Sequence, residues 1–301
     1  MKKIFIFITF LIITGCSSGE IKTHASGVFE TDDVIISSKS MGEITALNVN
    51  EGDMLQKGTL VGQIDSTQLQ LQKKNLENAI VSAESKIVNV EVQLAPLDEE
   101  VNKYKQEVER FKRLVASNAA NKKQLDDVTS AFNAARKQRE ATYDTLTKSN
   151  TVILNEINGL KIQIAQIDDN IKKSLIYAPM DGMVLTKYAN AFEFAQMGKP
   201  LFKMADISTL ILRAYVTGDI LTQVKVGDEA KIFADFGKNN IKEYTGKITW
   251  ISEKAEFTPK TIPTRDERSN LVYAVKITVQ NDGYLRKGMY GEVIFNNIKD
   301  E

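Results

Sequence analysis

The sequence predicts a mixed α and β protein. Its β-sandwich is split into two halves by a long antiparallel α-helical coiled-coil hairpin and is followed by a small β-barrel. Three observations lead to this fold class. Apolar residues recur every four and three positions through the middle of the chain. A glycine-marked β pattern that precedes this stretch returns after it, and short alternating strands with glycine turns fill the remainder.

The composition excludes several classes of protein. The 301 residues suffice for one large domain or two or three small ones. With 39 basic and 39 acidic residues the formal net charge is zero, so no basic surface for nucleic acid is expected. One cysteine cannot form an internal disulfide, and one histidine cannot complete a zinc cluster. We therefore expect no metal, no cofactor and no catalytic residues.

The N-terminus has the pattern of a targeting signal. Two lysines follow Met1, residues 4–13 are almost wholly apolar, and the apolar run is too short for a bilayer core of about 30 Å. The stretch LIITGCSS resembles a bacterial lipobox, which predicts a lipoprotein signal peptide over 1–15 and lipidation of Cys16. A plain signal peptide with an incidental cysteine is the alternative. Residues 16–26 are then a polar tether, in which His24 is expected to be solvated.

A coiled-coil hairpin is predicted over residues 67–174. Pro96 lies within its first arm, where a mild kink is expected, and the pattern weakens in the second arm around Arg139 and Asn150. Each arm has about 50 residues, which corresponds to roughly 75 Å of helix. Two helices of an ordinary globular bundle are the alternative, which an unbroken pattern of this length does not favour. The apolar positions that form the seam, the line of contact between the arms, are Leu76, Ile80, Ala83, Ile87, Val90, Leu94, Leu97, Val101, Tyr104, Val108, Phe111 and Val115, then Leu125, Val128, Phe132, Ala135, Ile153, Ile157, Leu160, Ile164, Ile167 and Ile171.

The regions 27–66 and 175–206 form an internal repeat with a fixed offset of 140 residues. The offset relates turn glycines, apolar positions and one asparagine in the two regions. Two such halves predict a flattened β-sandwich with pseudo-two-fold symmetry, completed after the chain returns from the hairpin. The matched pairs are Gly42 with Gly182, Gly58 with Gly198, Ile44 with Val184, Asn50 with Asn190, Val61 with Leu201, and Ile64 with Met204.

The two halves resemble a split biotinyl or lipoyl domain. They lack the turn with a modified lysine that joins the halves in carrier proteins, because the hairpin occupies that position. A lipobox, a split lipoyl-like sandwich and a helical hairpin together resemble the periplasmic adaptor, or membrane fusion protein, family of HlyD type. The alternating strands of 207–301 agree with the family's β-barrel and short membrane-proximal C-terminal segment. Within them, the stretch EFTPKTIPTRDERSNLVY resembles adaptors that serve ABC-type exporters.

The resemblance implies a periplasmic adaptor that joins an inner-membrane transporter, of ABC class here, to an outer-membrane tunnel channel for efflux or secretion of small molecules or drugs. It also implies self-association into a ring, commonly a hexamer. A lipid on Cys16 would hold the chain at a membrane, and we favour the inner membrane. The resemblance implies no cofactor and no nucleic-acid partner.

The resemblance further implies a channel-docking motif at the hairpin tip. The family pattern maps onto Arg110, Leu114, Asn121, Leu125 and Asp126, with Asn121 in place of the usual serine. Asn121 retains the capacity to cap a helix. Leu114 lies beside the seam rather than in it, so it is expected to be exposed. An ordinary solvated charge is the alternative for Arg110.

Other features have simpler interpretations. The Gly52-Asp53 pair lacks the glycine-rich strand-to-helix loop of a phosphate site and is interpreted as a turn. The carboxylate pairs at 99–100 and 168–169 are interpreted as solvated helix faces. Two other functions remain open, namely a biotin or lipoate carrier subunit and a structural coiled-coil lipoprotein of the cell envelope.

Overall fold

The computed structural model describes residues 23–237, 240–256 and 271–298, and the predicted N-terminal signal with Cys16 lies outside them. Within these residues, eight strands form the sandwich, six form the barrel, and four helices lie between or beside them. The sandwich strands are β2 (Asp33–Ser37), β3 (Gly42–Leu47), β4 (Met54–Leu55), β5 (Leu60–Ile64), β6 (Leu175–Tyr177), β7 (Gly182–Lys187), β8 (Phe194–Ala195) and β9 (Pro200–Ala205). The barrel strands are β1 (Ala25–Glu30), β10 (Thr209–Thr217), β11 (Glu229–Asp235), β12 (Ile241–Ile251), β13 (Val272–Gln280) and β14 (Tyr290–Phe295), and the helices are α1 (Thr67–Glu84), α2 (Val90–Ala116), α3 (Lys122–Lys173) and α4 (Gly218–Leu221).

The sandwich consists of two four-stranded sheets in the orders β2-β9-β7-β4 and β6-β5-β3-β8. Each sheet contains strands from both halves of the repeat, and the 140-residue offset converts one order into the other. The hydrogen bonds follow the same symmetry. The N–H of Gly52 donates to the carbonyl oxygen of Val184 at 2.8 Å, and the N–H of Phe192 donates to that of Ile44 at 2.7 Å. The predicted split sandwich is therefore present, with its strands exchanged between the halves.

The sandwich core is formed by the residues that the repeat pairs. The matched apolar pairs are all buried and pack into one cluster with neighbours from both sheets. Because each sheet takes strands from both halves, neither half can bury its apolar face alone. The cluster includes Ile44, Leu47, Val49, Val61, Ile64, Ile176, Val184, Leu201, Phe202 and Met204.

The hairpin has one continuous arm and one interrupted arm. Helix α3 is unbroken, whereas the first arm is divided into α1 and α2 by residues 85–89. A mild kink was expected at Pro96, but the arm is not interrupted there. Helix α2 continues through Pro96. Seam residue Ile87 falls in the interruption and is exposed, so the prediction that it lies in the seam is wrong. The other predicted seam positions are buried or half-buried.

The interruption has a local cause in the sequence. Residues 85–90 contain serine, asparagine and β-branched side chains, which are weak helix formers. Asn89 leaves the helical conformation, and its side chain accepts a hydrogen bond from the N–H of Val92 at 3.2 Å, which starts α2. The carboxamide of Asn150, on the facing helix, bonds the backbone of Val88. The two asparagines thus satisfy backbone groups that the missing helical turn would have paired.

The weak part of the α3 pattern is filled mainly by polar side chains, with one leucine among them. Arg139 faces the first arm and forms an ion pair with Asp98 at 2.8 Å. The hydrogen bond to Asp98 raises the pKa of Arg139. Thr142, Leu146 and Asn150 continue the line of half-buried positions, and the two successive steps of four between them shift the register of the seam locally.

The barrel is closed, in the strand order β1-β10-β13-β12-β11-β14. Strand β1 pairs with both β10 and β14, and its Phe29 is fully buried in the barrel core. The predicted boundary that assigned residue 27 onward to the sandwich is therefore wrong, because β1 closes the barrel and the sandwich begins with β2. The physical reason is that β10 and β14 would otherwise be unpaired edges.

His24 also differs from the sequence-based expectation. Its backbone N–H donates to the carbonyl oxygen of Val293 at 2.8 Å, and its ring Nδ1 accepts from the backbone N–H of Phe295 at 3.0 Å. Its ring stacks on that of Phe295, with 6.2 Å between centroids. His24 is thus part of the barrel edge and not a free tether residue.

Asp33 connects the sandwich to the barrel. Its carboxylate accepts a hydrogen bond from Lys287, in the loop before β14, and lies 3.5 Å from Nζ of Lys203. Burial alone would raise the pKa of Asp33, but the hydrogen bonds from Lys287 and Thr31 and the charges of the two lysines lower it below its ordinary value. The carboxylate therefore stays charged at the junction.

Candidate functional site

The tip of the hairpin is a short loop, residues 117–121, between α2 and α3. The carbonyl oxygen of Leu114 accepts hydrogen bonds from the N–H of Ala119 at 2.8 Å and from Oγ of Ser117 at 3.0 Å. Asn118 adopts a left-handed conformation with φ 56°, which asparagine tolerates better than most residues. The two bonds satisfy the carbonyl group of Leu114 in the last turn of α2 and tie the loop to the helix end.

Asn121 caps α3 as expected. Its Oδ1 accepts from the N–H of Gln124 at 2.9 Å, and Oε1 of Gln124 accepts from the N–H of Asn121 at 3.0 Å. This reciprocal capping box holds the start of α3 rigidly. Nδ2 of Asn121 makes no hydrogen bond within the described part of the chain, and the residue is exposed. It can therefore donate to a partner without weakening the cap.

The five tip residues differ in how available they are. Asn121 and Asp126 are exposed, whereas Leu114 and Leu125 are half-buried. The expectation of a highly exposed Leu114 is wrong, because α2 packs on α3 and the side chain of Leu114 is half-buried. Arg110 forms an ion pair with Glu107 at 2.7 Å and lies over the ring of Phe111 at 5.2 Å. The tip thus presents polar groups around two partly covered leucines.

The other predicted site residue, Cys16, lies outside the described residues. Its lipidation remains a prediction from the sequence pattern.

The two carboxylate pairs have different surroundings: one contributes an ion pair within the hairpin, and the other is exposed. Asp168 accepts a hydrogen bond from Lys73 at 2.8 Å, which ties α3 to α1 and raises the pKa of Lys73. The expectation of a merely solvated Asp168 is therefore wrong. The second pair, at 99–100, is exposed on α2.

Residues 23–237, 240–256 and 271–298 contain neither a group of metal ligands nor a membrane-spanning helix. No three His, Cys, Asp or Glu side chains there are grouped closely enough to bind a metal ion. No helix there combines the length and apolar character that crossing a bilayer requires.

The comparisons with known proteins identify the family. Residues 32–205 match the family model described as the RND MFP barrel-sandwich hybrid domain, where MFP denotes a membrane fusion protein. The match covers the whole split sandwich and the hairpin. The chain belongs to the membrane fusion protein family. It is a periplasmic adaptor of efflux systems, a non-enzymatic class of protein.

Curated relatives extend the similarity beyond the matched domain. The chain is 29% identical over 276 residues to a UPF0194 membrane protein of Yersinia pseudotuberculosis, which covers 82% of this chain and 81% of the relative. It is 28% identical over 285 residues to the UPF0194 membrane protein YbhG of Salmonella arizonae, which covers 88% and 86% of the two chains.

Solved structures show the same fold. MacA of Actinobacillus actinomycetemcomitans has a TM-score of 0.56 with 21% identity, over 89% of this chain and 76% of that chain. A membrane fusion protein of Streptococcus pneumoniae has a TM-score of 0.51 with 16% identity, over 91% and 98%. With this family membership, the carrier subunit and the purely structural lipoprotein are not favoured.

An exposed apolar segment lies at the sandwich edge and was not predicted from the sequence. Phe192 occupies the position that Gly52 holds in the first half, has φ 70°, and is 79% exposed. Phe194 and Met197 beside it are also exposed. A signal was present, because a turn glycine in one copy of the repeat corresponds to a phenylalanine in the other.

Proposed function

We propose that this adaptor bridges an ABC-class transporter of the inner membrane to an outer-membrane tunnel channel, and that the hairpin tip docks on the channel. The observation that carries the proposal is the capped, hydrogen-bonded loop at the hairpin end, which has Asn121 in the loop and the other four motif residues on its two flanking helices. Efflux or secretion of small molecules or drugs is the corresponding activity.

The length of the hairpin supports the proposal. The 52 residues of α3 correspond to roughly 80 Å of continuous helix. Because α1 and α2 both pack along α3, the tip is held away from the sandwich by a two-helix arm. A long arm with a capped and hydrogen-bonded loop supports recognition of a distant partner, because little ordering entropy is lost on binding.

The ABC class rests on the stretch EFTPKTIPTRDERSNLVY, most of which lies outside the described residues. The matching family model is named for RND proteins, so the transporter class needs a direct test. A neighbouring operon that encodes an ATPase and a permease, together with co-purification of that permease with the adaptor, is the expected result. Co-purification with an RND pump instead would overturn the assignment.

We also propose that Cys16 carries the lipid anchor and that the chains form a ring, with six protomers as the expected number. Metabolic labelling with a fatty acid should label the wild type and fail to label Cys16→Ser, which should remain unprocessed or leave the membrane. Multiple acyl chains would anchor the chain firmly, since one chain binds only weakly. An unlabelled wild type would exclude the anchor, and a monomer in sedimentation experiments would exclude the ring.

Docking at the tip is tested by replacing Leu114. Leu114→Asp should abolish export in cells, because it places a charge in the apolar part of the tip. Leu154 is a matched control, since it is exposed on α3 and lies away from the tip. Leu154→Asp should leave export unchanged. Substrate tolerance of cells is the measurement, with adaptor levels compared by immunoblot.

A folding control separates docking from stability. Leu94 is 2% exposed in the hairpin seam, so Leu94→Asp should lower stability by several kcal/mol. Leu114 is half-buried, and Leu114→Asp should lower the melting temperature much less. An equal loss of melting temperature in the two variants would show that Leu114 serves the fold. Normal export by a stable Leu114→Asp variant would exclude the tip as the docking site.

A further inference from the structure

We propose that a groove at the base of the hairpin binds an anionic amphiphile, a molecule with one apolar chain and one negatively charged head. The groove lies between the outer edges of β2 and β6 and the last turn of α3, and it has a volume of about 380 Å³. It is at the opposite end of α3 from the tip, so it is a surface separate from the proposed channel-docking site.

The floor of the groove is apolar and exposed. Ile35 is 51% exposed on β2, with Val34 beside it, and Tyr177 is exposed on β6. Both strands are outermost in their sheets and have a partner on one side only. Ile35 corresponds to Leu175 by the repeat, so the groove is built from equivalent edges of the two halves. Apolar side chains left open on both edges offer a surface for an acyl-type chain.

The mouth of the groove is cationic. Lys39, Lys172 and Lys173 line it, and no carboxylate is among the lining residues. Lys173 pairs with Asp169 at 2.6 Å, but Lys39 and Lys172 have no ion-pair partner within residues 23–237, 240–256 and 271–298. The nearby carboxylate on β2, that of Asp33, is occupied by Lys203 and Lys287. Two uncompensated ammonium groups beside an apolar floor select a ligand whose head is a carboxylate, phosphate or sulfate.

The shape favours a small ligand over an added β-strand. Strand β6 has three residues, and the pairing of β2 with β9 shifts register between Ile36 and Ser37, which bends the β2 edge. A short, bent edge supports few regular hydrogen bonds to an incoming strand. The volume falls in the range of small-molecule sites, about 300–1,000 Å³. An amphiphile would contact both the apolar floor and the cationic mouth, and it would not need backbone hydrogen bonds to the strand edges.

The experiment uses the full-length chain in cell envelopes and a photoreactive probe, dodecanoate with a diazirine near the chain end. After irradiation and digestion with chymotrypsin, mass spectrometry should find adducts on segments 33–39 and 172–179. Excess dodecanoate or dodecyl phosphate should lower these adducts at least tenfold, and dodecyltrimethylammonium at the same concentration should not. If dodecanoate and dodecyl phosphate compete equally with the probe, the groove is a general anion site. If one competes better, its head group is the one that the groove prefers.

Variants test the two parts of the groove separately. Lys39→Gln with Lys172→Gln should lower labelling of the groove segments at least tenfold, whereas Lys86→Gln with Lys161→Gln, both exposed lysines away from the groove, should not. Ile35→Asp should also abolish labelling. Labelling that survives the groove variants, or equal competition by the cationic amphiphile, overturns the proposal. If the wild type is not labelled and Ile35→Asp changes the sedimentation coefficient, the proposal is overturned, and a second copy of the chain occupies the groove instead.

Discussion

The carboxamide of Asn150 holds both backbone groups of Val88. Its Oδ1 accepts a hydrogen bond from the N–H of Val88 at 3.1 Å, and its Nδ2 donates to the carbonyl oxygen of Val88 at 2.8 Å. This pair lies where the first arm of the hairpin is interrupted. A side chain of the continuous helix therefore replaces backbone partners that the interrupted arm has lost.

The first prediction is that Asn150→Leu destabilises the hairpin. Leucine suits a seam position, but it leaves the N–H and the carbonyl oxygen of half-buried Val88 unpaired, at a cost of about 1–3 kcal/mol. Urea denaturation followed by helical circular dichroism measures the change. Asn155→Leu, at an exposed position of the same helix, is the control. Equal stability of the two variants would mean that water replaces the Asn150 bonds.

The second prediction is that the sandwich and barrel fold without the hairpin. Residues 67–173 are deleted and Ser66 is joined to Ser174 by a short glycine-serine turn. The remaining strands keep the sandwich core, since the N–H of Ile64 donates to the carbonyl oxygen of Ser174 at 2.8 Å and β6 still pairs with β5. Circular dichroism should show a β-rich fold, and hydrogen exchange should show protected amides in β5 and β9.

A longer deletion, 67–177, is the matched control for this prediction. It removes β6 and buried Ile176, and so exposes the edge of β5 and opens the core. The longer deletion should be less stable by about 2–5 kcal/mol, the usual cost of losing one large core side chain. An unfolded product from the shorter deletion would show that the sandwich depends on the helices.

The third prediction concerns pH and Asp33. The pKa of Asp33 is lower in the folded chain than in the unfolded chain, where it is about 3.9. The charged carboxylate therefore contributes its full stabilisation at a pH above the unfolded-state pKa. This stabilisation is lost as the pH falls through the folded-state pKa. Asp33→Asn should cost up to about 1 kcal/mol near neutral pH and nothing at the acid limit. Urea denaturation across this pH range measures the difference.

Asp32 provides the control for the pH effect, because it is exposed and adjacent in sequence. Asp32→Asn should shift stability much less at any pH. A difference between wild type and Asp33→Asn that does not shrink on acidification would indicate that the Asn variant perturbs the junction by some other route than its charge.

The fourth prediction concerns the strained turn at Phe192. A non-glycine residue with φ near 70° costs about 1–2 kcal/mol, and the exposed ring returns little burial energy. After the greater entropy cost of glycine is subtracted, Phe192→Gly should stabilise the sandwich by up to about 1 kcal/mol. Gly52→Ala, at the equivalent position with φ 92° and open space around the added methyl, should destabilise it by a similar amount. Thermal melting of both variants measures the pair, and a destabilised Phe192→Gly would show that the ring makes a stabilising contact.

The sequence by itself determined the repeat and the hairpin. The 140-residue offset between Gly58 and Gly198 and between Val61 and Leu201 follows from local requirements, since turn glycines need positive φ and alternating apolar residues need a buried face. The four-three spacing of apolar residues likewise requires a partner helix, whichever part of the chain supplies it. Patterns of this kind can be recognised in the sequence because each depends on the local conformation or burial of the residues that form it.

Only the tertiary structure decided which distant groups meet. Strand β1 looks like the start of the sandwich, yet Phe29 is buried in the barrel, because closing the barrel pairs both of its open edges. Weak helix formers permit the break of the first arm at residues 85–89, and Asn150 on the other arm stabilises it there by pairing the backbone of Val88. Leu114 is half-covered because α3 returns beside it. In each case the deciding free energy comes from hydrogen bonds or burial between residues far apart in sequence, which no local pattern records.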